Sequence, residues 1–130
     1  MFSSCAKESD EAGGDSVTWL ESYDEAVSLA EKKDRPIMID FYADWCGWCK
    51  RLDSDTYSDK SVVAKAEHFV SLKIDADVEK GLSSRYKIAG LPTILFIDHR
   101  GREIHRVVGY RPAQGFLKEM DAALTSFKSS

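Results

Sequence analysis

Cys46-Gly47-Trp48-Cys49 is the stretch of this chain whose residue types and spacing could do chemistry. Cysteines three apart on a first helical turn bring their sulfurs close together. Such a pair can clip a metal, staple the fold, or cycle between dithiol and disulfide. A structural zinc site normally needs four Cys or His ligands. Here there is no second CxxC, and His68, His99 and His105 all lie far from the motif in sequence. Trp45 and Trp48 are strange company for a buried staple. Thiol–disulfide exchange fits best. A first cysteine near a helix N-terminus meets free amides and a dipole that favour a thiolate. The second is set further into the turn. Cys46 is therefore expected to be the exposed, low-pKa nucleophile and Cys49 the more shielded resolving thiol. Cys46 attacks a substrate disulfide, and Cys49 then attacks Cys46 and releases the reduced substrate. The reverse sequence oxidises a dithiol.

The elements around the pair follow from patterning. Ser22-Tyr-Asp-Glu25 has capping-box spacing, and Tyr23, Ala26, Val27 and Ala30 recur at helical intervals up to Asp34-Arg-Pro36. Ile37 to Ala43 is an apolar run interrupted only by Asp40, the pattern of a strand buried on both faces. It delivers Cys46 to a strand-to-helix junction. Burial of Asp40 would raise its pKa and let it exchange a proton near neutrality. The helix from Cys46 is expected to pause around Ser54 to Asp59, with a second helical piece carrying Val62, Val63 and Ala66. Phe69 to Asp75 alternates as a strand, Val78 to Tyr86 reads as a short helix, and Thr93 to Asp98 as another central strand. Gly101 suits a turn that needs positive φ, and Glu103 to Val108 is the returning strand of that hairpin. Pro112 can start the last helix, with Phe116, Leu117, Met120, Ala123 and Leu124 on one face. The expected architecture is an α/β fold with a mixed central sheet flanked by helices on both faces.

With 130 residues the chain is expected to hold a single domain at 17–130 behind a flexible acidic tail at 1–16. The formal net charge is -4 and no basic stripe stands out, which argues against nucleic acid as a partner. No apolar stretch reaches the roughly 18 residues of a membrane span. Phe2-Ser-Ser-Cys5, followed by an acidic, Gly-rich stretch to Asp15, resembles the end of a bacterial lipoprotein signal with Cys5 as the lipid-bearing residue. The segment lacks the apolar part that lipidation requires, so this reading needs an upstream sequence; the alternative is an incidental cysteine on a loose tail. Membrane association is expected only if Cys5 is lipidated.

Asp40-Phe-Tyr-Ala-Asp-Trp-Cys-Gly-Trp-Cys-Lys50 resembles the active-site segment of the thioredoxin superfamily. Tyr86-Lys-Ile-Ala-Gly-Leu-Pro-Thr93 resembles its second signature, and Gly109 fits the third. The resemblance spans roughly Val17 to Phe127. It implies a thioredoxin-like fold, a redox-active Cys46–Cys49 disulfide with no other cofactor and no metal, and Asp40 as proton acceptor for Cys49. It also implies a cis bond at Leu91–Pro92, and a substrate groove bounded by Trp45, Gly47, Trp48, Leu91, Pro92, Val108 and Gly109, with Tyr110 at its rim. Phe41 and Tyr42 are expected to be core. The usual proline between the cysteines is Trp48 here. The lysine that often partners the buried aspartate is expected to be out of place, with Ser71 at its position and Lys73 one strand-face repeat away, so proton handling at Asp40 should differ.

The long stretch from Lys50 to Val63 is similar to thioredoxin-like domains of bacterial envelope proteins, including the C-terminal domain of the transmembrane reductant conductor DsbD. The resulting expectation is a monomeric reductase of protein disulfides in the periplasm or envelope, recycled by a partner dithiol protein, with the cytoplasm as the alternative place. An oxidase or isomerase of the same fold, or a peptide-binding or chaperone module without turnover, remains open at this point.

Overall fold

The computed structural model describes residues 15–129, so Cys5 and most of the expected acidic tail lie outside the described residues. Helix α1 runs Tyr23–Lys33, and the Ser22 side chain accepts the Glu25 N–H at 3.2 Å, as the capping spacing requires. Asp34 closes it in the left-handed region, at φ 55°, and bonds back to the carbonyls of Ala30 and Glu31. Short polar side chains tolerate that conformation better than most. Replacing Ser22 by alanine leaves a helix-start N–H without its partner. The expected loss is about 1 kcal/mol in urea denaturation.

Strand β1 (Ile37–Tyr42) is followed by helix α2 (Gly47–Arg51), a π turn at Leu52–Thr56 and helix α3 (Lys60–Ala66). Then come β2 (Val70–Asp75), helix α4 (Lys80–Arg85), the hairpin β3 (Thr93–Ile97) and β4 (Glu103–Val108), and helix α5 (Ala113–Ser129). The sheet order is β2-β1-β3-β4. β1 pairs in parallel with β2 and antiparallel with β3, and β3 pairs antiparallel with β4, so the sheet is mixed as expected. Gly101 does take positive φ at the hairpin turn, where a Cβ would crowd the Tyr23 and Tyr86 hydroxyls at 3.1 and 3.3 Å.

The central strands β1 and β3 bury both faces. Met38, Ile94 and Phe96 meet Leu52, Val62, Phe116 and Met120 on one side of the sheet. Ile37, Ile39, Phe41, Leu95 and Ile97 meet Ala26 and Ala30 of α1 on the other. Side chains alternate along a strand, so Asp40 shares the Met38 face and points toward the π turn and α5.

The pause in the helix after the cysteines comes earlier than the polar residues suggest. It is a π turn whose Leu52 and Thr56 are fully buried. The Thr56 hydroxyl donates to the Arg111 carbonyl at 2.6 Å and ties the turn to the entrance of α5. Asp59, not the Ser58 region as a whole, restarts the chain as a helix by accepting the N–H groups of Ser61 and Val62.

Candidate active site

β1 ends at Tyr42, and four residues later Cys46 is the N-cap of α2. Cys46 and Cys49 are joined as a disulfide with their Cα atoms 5.2 Å apart. The Cys46 N–H reaches back to the Ala43 carbonyl at 3.1 Å, which fixes the turn that presents the pair. The expected difference in exposure is not found: in the disulfide form Cys46 is 4% exposed and Cys49 3%. Tyr42 and Leu91 pack against the pair together with Ala43, and this cover shields both sulfurs. The asymmetry lies in hydrogen bonding. Cys46 Sγ accepts the Cys49 N–H at 3.1 Å, so the first sulfur is the one held by a backbone donor. Tyr42, expected to be core, is half-buried and belongs to this cover.

The Leu91–Pro92 bond is cis, and Pro92 is buried. The Gly109 N–H donates to the Pro92 carbonyl at 2.8 Å, with Gly109 itself at φ 96°. This joins the second and third signature positions physically. Gly90 abuts the Val108 side chain, so β4 and the proline loop form one wall. Gly47 is exposed, with no atom near the position a Cβ would take.

Trp45 and Trp48 are 70% and 56% exposed, yet each is braced. Trp45 Nε1 donates to Asp77 at 2.8 Å. Trp48 lies against Tyr110, ring centres 5.4 Å apart, and the Arg51 guanidinium sits over both rings. Asp55 holds that wall by accepting from Arg51 at 2.9 Å and from the Tyr110 hydroxyl at 3.1 Å. Two bonds to Asp55 also hold its carboxyl below the usual carboxylate range. The four exposed large hydrophobics among the described residues are Trp45, Trp48, Val78 and Val108. Three of them belong to the expected groove, and the fourth follows Asp77, the residue that braces Trp45.

Asp40 is completely buried, and desolvation pushes its pKa up to about 6 against the opposing pull of Lys73. Here the expectation from sequence is corrected. Lys73 is in place: its ammonium donates to Asp40 Oδ2 at 2.9 Å and to Asp53 Oδ1 at 2.7 Å. The reason is register, because parallel pairing of β1 with β2 sets Asp40 directly opposite Lys73, while Ser71 stands opposite Met38. Burial pulls the Lys73 ammonium down, but the two carboxylates outweigh it and keep its pKa raised. Its Nζ also lies 4.8 Å from the Tyr42 ring centre and 5.6 Å from that of Tyr57.

Sequence reasoning missed Asp53, Tyr57, Asp55 and Asp77 as site residues. The i, i+4 spacing of Asp53 and Tyr57 behind the cysteines was a readable signal. The widened turn that aims them was not. Among the described residues, no group of three or more His, Cys, Asp or Glu is arranged to hold a metal. His105 pairs with Glu119 at 2.7 Å, on α5.

Comparison with known proteins places this geometry. The model of a thioredoxin-like domain matches residues 23–124. The chain is 39% identical over 100 residues to the thiol:disulfide interchange protein DsbD of Yersinia enterocolitica, covering 72% of this chain and 17% of that protein. It is 38% identical over 113 residues to the protein of the same name from Ralstonia nicotianae, covering 83% of this chain and 19% of that one. The chain thus spans under a fifth of these curated relatives. A thioredoxin from Thermus thermophilus superposes with a TM-score of 0.77 at 30% identity, covering 86% of this chain and 90% of that one. A putative disulphide-isomerase from Bacteroides thetaiotaomicron does so with a TM-score of 0.75 at 33% identity, covering 85% and 95%. The chain belongs to the thioredoxin-like domain family, with Cys46–Cys49 as its thiol–disulfide exchange centre.

Proposed function

We propose that this domain reduces disulfides in protein substrates, with Cys46 as nucleophile, Cys49 as resolving thiol and Asp40 as proton acceptor for Cys49. The observation that carries the reading is the Cys46–Cys49 disulfide placed beneath an exposed apolar rim. Trp45, Trp48, Leu91, Pro92, Val108 and Gly109 form the groove for an extended substrate peptide, with Gly47 leaving room over the disulfide. Apolar and aromatic surface suits partly unfolded chains whose disulfides are accessible.

The cycle balances without another cofactor. The Cys46 thiolate attacks one substrate sulfur, and the other substrate sulfur leaves as a thiolate and takes up a proton. Cys49 loses its proton to Asp40 and attacks Cys46, which breaks the mixed disulfide and frees the second substrate thiol. Two electrons have passed to the substrate, and the domain holds the Cys46–Cys49 disulfide. A partner dithiol protein must then return two electrons.

The similarity to DsbD, and the Cys5 segment with its lipoprotein-like neighbours, support a bacterial envelope location in which a membrane reductant conductor is that partner. Equilibrating the domain with glutathione buffers and quantifying the disulfide tests the direction. A potential well below that of a strongly oxidising disulfide, about -120 mV, is expected, and a value near it overturns the reductase reading. Insulin reduction separates turnover from peptide binding alone: binding without reduction would favour a chaperone-like module. Fractionation of cells expressing the gene with its upstream sequence tests the place. Protein found only in the cytosol rejects the envelope assignment.

A further inference from the structure

Two buried polar atoms among the described residues have no hydrogen-bond partner, and they belong to neighbouring groups: Asp40 Oδ1 and the Tyr57 hydroxyl. The two face each other closely enough for each to perturb the other's proton affinity, without meeting hydrogen-bond geometry. Unpartnered buried polar groups are rare, because each forfeits its hydration. A pair of them face to face has a simpler account. One hydroxyl and one carboxyl oxygen satisfy each other through a small movement or one shared water.

The surroundings hold Tyr57 in place for this. Its ring meets Trp19 edge-on at 4.9 Å and Phe116 at 5.6 Å. Its residue position follows directly from the π turn, a helix irregularity that recurs at functional sites. The groups facing Asp40 are Lys73 from β2, Asp53 from the π turn, and Tyr57. Lys73 takes Oδ2 and is shared with Asp53. Of these groups, Tyr57 is the one left to face Oδ1. Burial and the nearby carboxylates Asp40 and Asp53 push the Tyr57 hydroxyl far above its usual pKa, so it stays protonated and can donate.

We infer that Tyr57 is a positioning residue for proton transfer at Asp40, its hydroxyl donating to Oδ1 when the carboxylate is ionised and accepting from the carboxyl when Asp40 holds the proton. This rests on the reading of Asp40 as the proton acceptor for Cys49. A hydroxyl can serve both states by rotating about its C–O bond. In the resolving step the proton moves from the Cys49 thiol to Asp40 as the new Cys46–Cys49 bond forms. Tyr57 loses no proton. It favours the ionised, proton-accepting state, because hydrogen bonds to charged groups are the stronger ones.

The test is Tyr57→Phe, which keeps the ring and its contacts with Trp19 and Phe116. With carbon-13 in the aspartate carboxyls, the Asp40 titration midpoint in the oxidised protein is expected to rise by about one pH unit. The acid limb of the pH–rate profile for insulin reduction should move by the same amount, with little change in melting temperature at about pH 3.5, where Asp40 is protonated in the folded state and largely so in the unfolded one. In an Asp40→Asn background the same substitution should leave the profile unchanged. An Asp40 midpoint that stays put, or falls, overturns the inference and leaves Tyr57 as a core ring. Should the variant not fold, the parent decides: the Tyr57 Cζ signal must shift with the Asp40 midpoint, and a Tyr57 signal that ignores it overturns the inference. If the parent fails to reduce insulin, the functional reading fails, while the Asp40 titration still settles the Tyr57 pairing.

Discussion

Replacing Cys46 by alanine is expected to drop insulin reduction to the uncatalysed background, whereas replacing Cys49 by alanine leaves a protein that captures substrates and cannot release them. The two effects differ because the two sulfurs differ in their bonding. Cys46 caps α2 and its sulfur accepts the Cys49 N–H at 3.1 Å, an interaction that favours a thiolate over a thiol. Cys49 lies one turn on, and its sulfur has no comparable donor among the described residues. The Cys49→Ala variant should therefore accumulate mixed disulfides through Cys46, visible on non-reducing gels and assignable by peptide mass mapping. The Cys46→Ala variant should accumulate none. Alkylation of the reduced parent at graded pH gives the order independently. Preferential modification of Cys49 at the lower pH, or mixed disulfides through Cys49, would reverse the roles.

The second large effect is one of stability. Asp40 has a pKa raised from 3.8 to about 6 by burial. Between those values the folded state holds a proton that the unfolded state has released. Stability therefore falls as pH rises through that window, and the whole cost is present above it. At about 1.4 kcal/mol per pH unit, the penalty at pH 7.5 comes to roughly 3 kcal/mol. Asp40→Asn removes the ionisation and keeps the shape, and Lys73 keeps Asp53 as a partner at 2.7 Å. The variant should be more stable than the parent by roughly that amount at pH 7.5, and by almost nothing at pH 3.5, in urea denaturation followed at both pH values. The same variant should resolve mixed disulfides about 100-fold more slowly near neutrality, the lower end of what a positioned base contributes. The deficit should shrink as pH approaches the ordinary thiol range near about 8.5, where Cys49 ionises unaided. Equal stability at pH 7.5 would mean that Asp40 is not held against its ionised form.

Much of this site was legible in the residues. The apolar run Ile37 to Ala43 with one carboxylate inside it announced a buried strand and an unusual acid, and both are found. The joint spacing of Cys46, Cys49, Pro92 and Gly109 carried the fold through resemblance. What was misread is a matter of register. β2 alternates correctly, but alternation repeats every two residues, so Ser71 and Lys73 are equivalent by pattern and only the pairing with β1 separates them. The π turn left no mark, because Leu-Asp-Ser-Asp-Thr is as acceptable to an α-helix end as to a wider turn. It is tied down by a long-range bond from Thr56 to the Arg111 carbonyl, which local sequence does not announce. The spacing of Asp53 and Tyr57 could be read, but without the turn their aim at Lys73 and Asp40 could not.

Both borders of the sheet carry obstacles to a new strand. On β2 the backbone of Leu20 takes the outer side, receiving from Lys73 and donating to Ser71 at 2.9 Å each. On β4 Arg106 is folded back onto Glu103 and onto the carbonyls of Tyr86 and Lys87. Charged side chains along a free border discourage lateral pairing. If its clients are extended, partly unfolded chains, as proposed above, a free border would be a hazard, since such chains can pair along it. On the reductase reading, the place offered to such a chain is the apolar rim above the disulfide. With both borders obstructed, a chain bound at that rim is expected to leave as it came rather than seed lateral growth along the sheet.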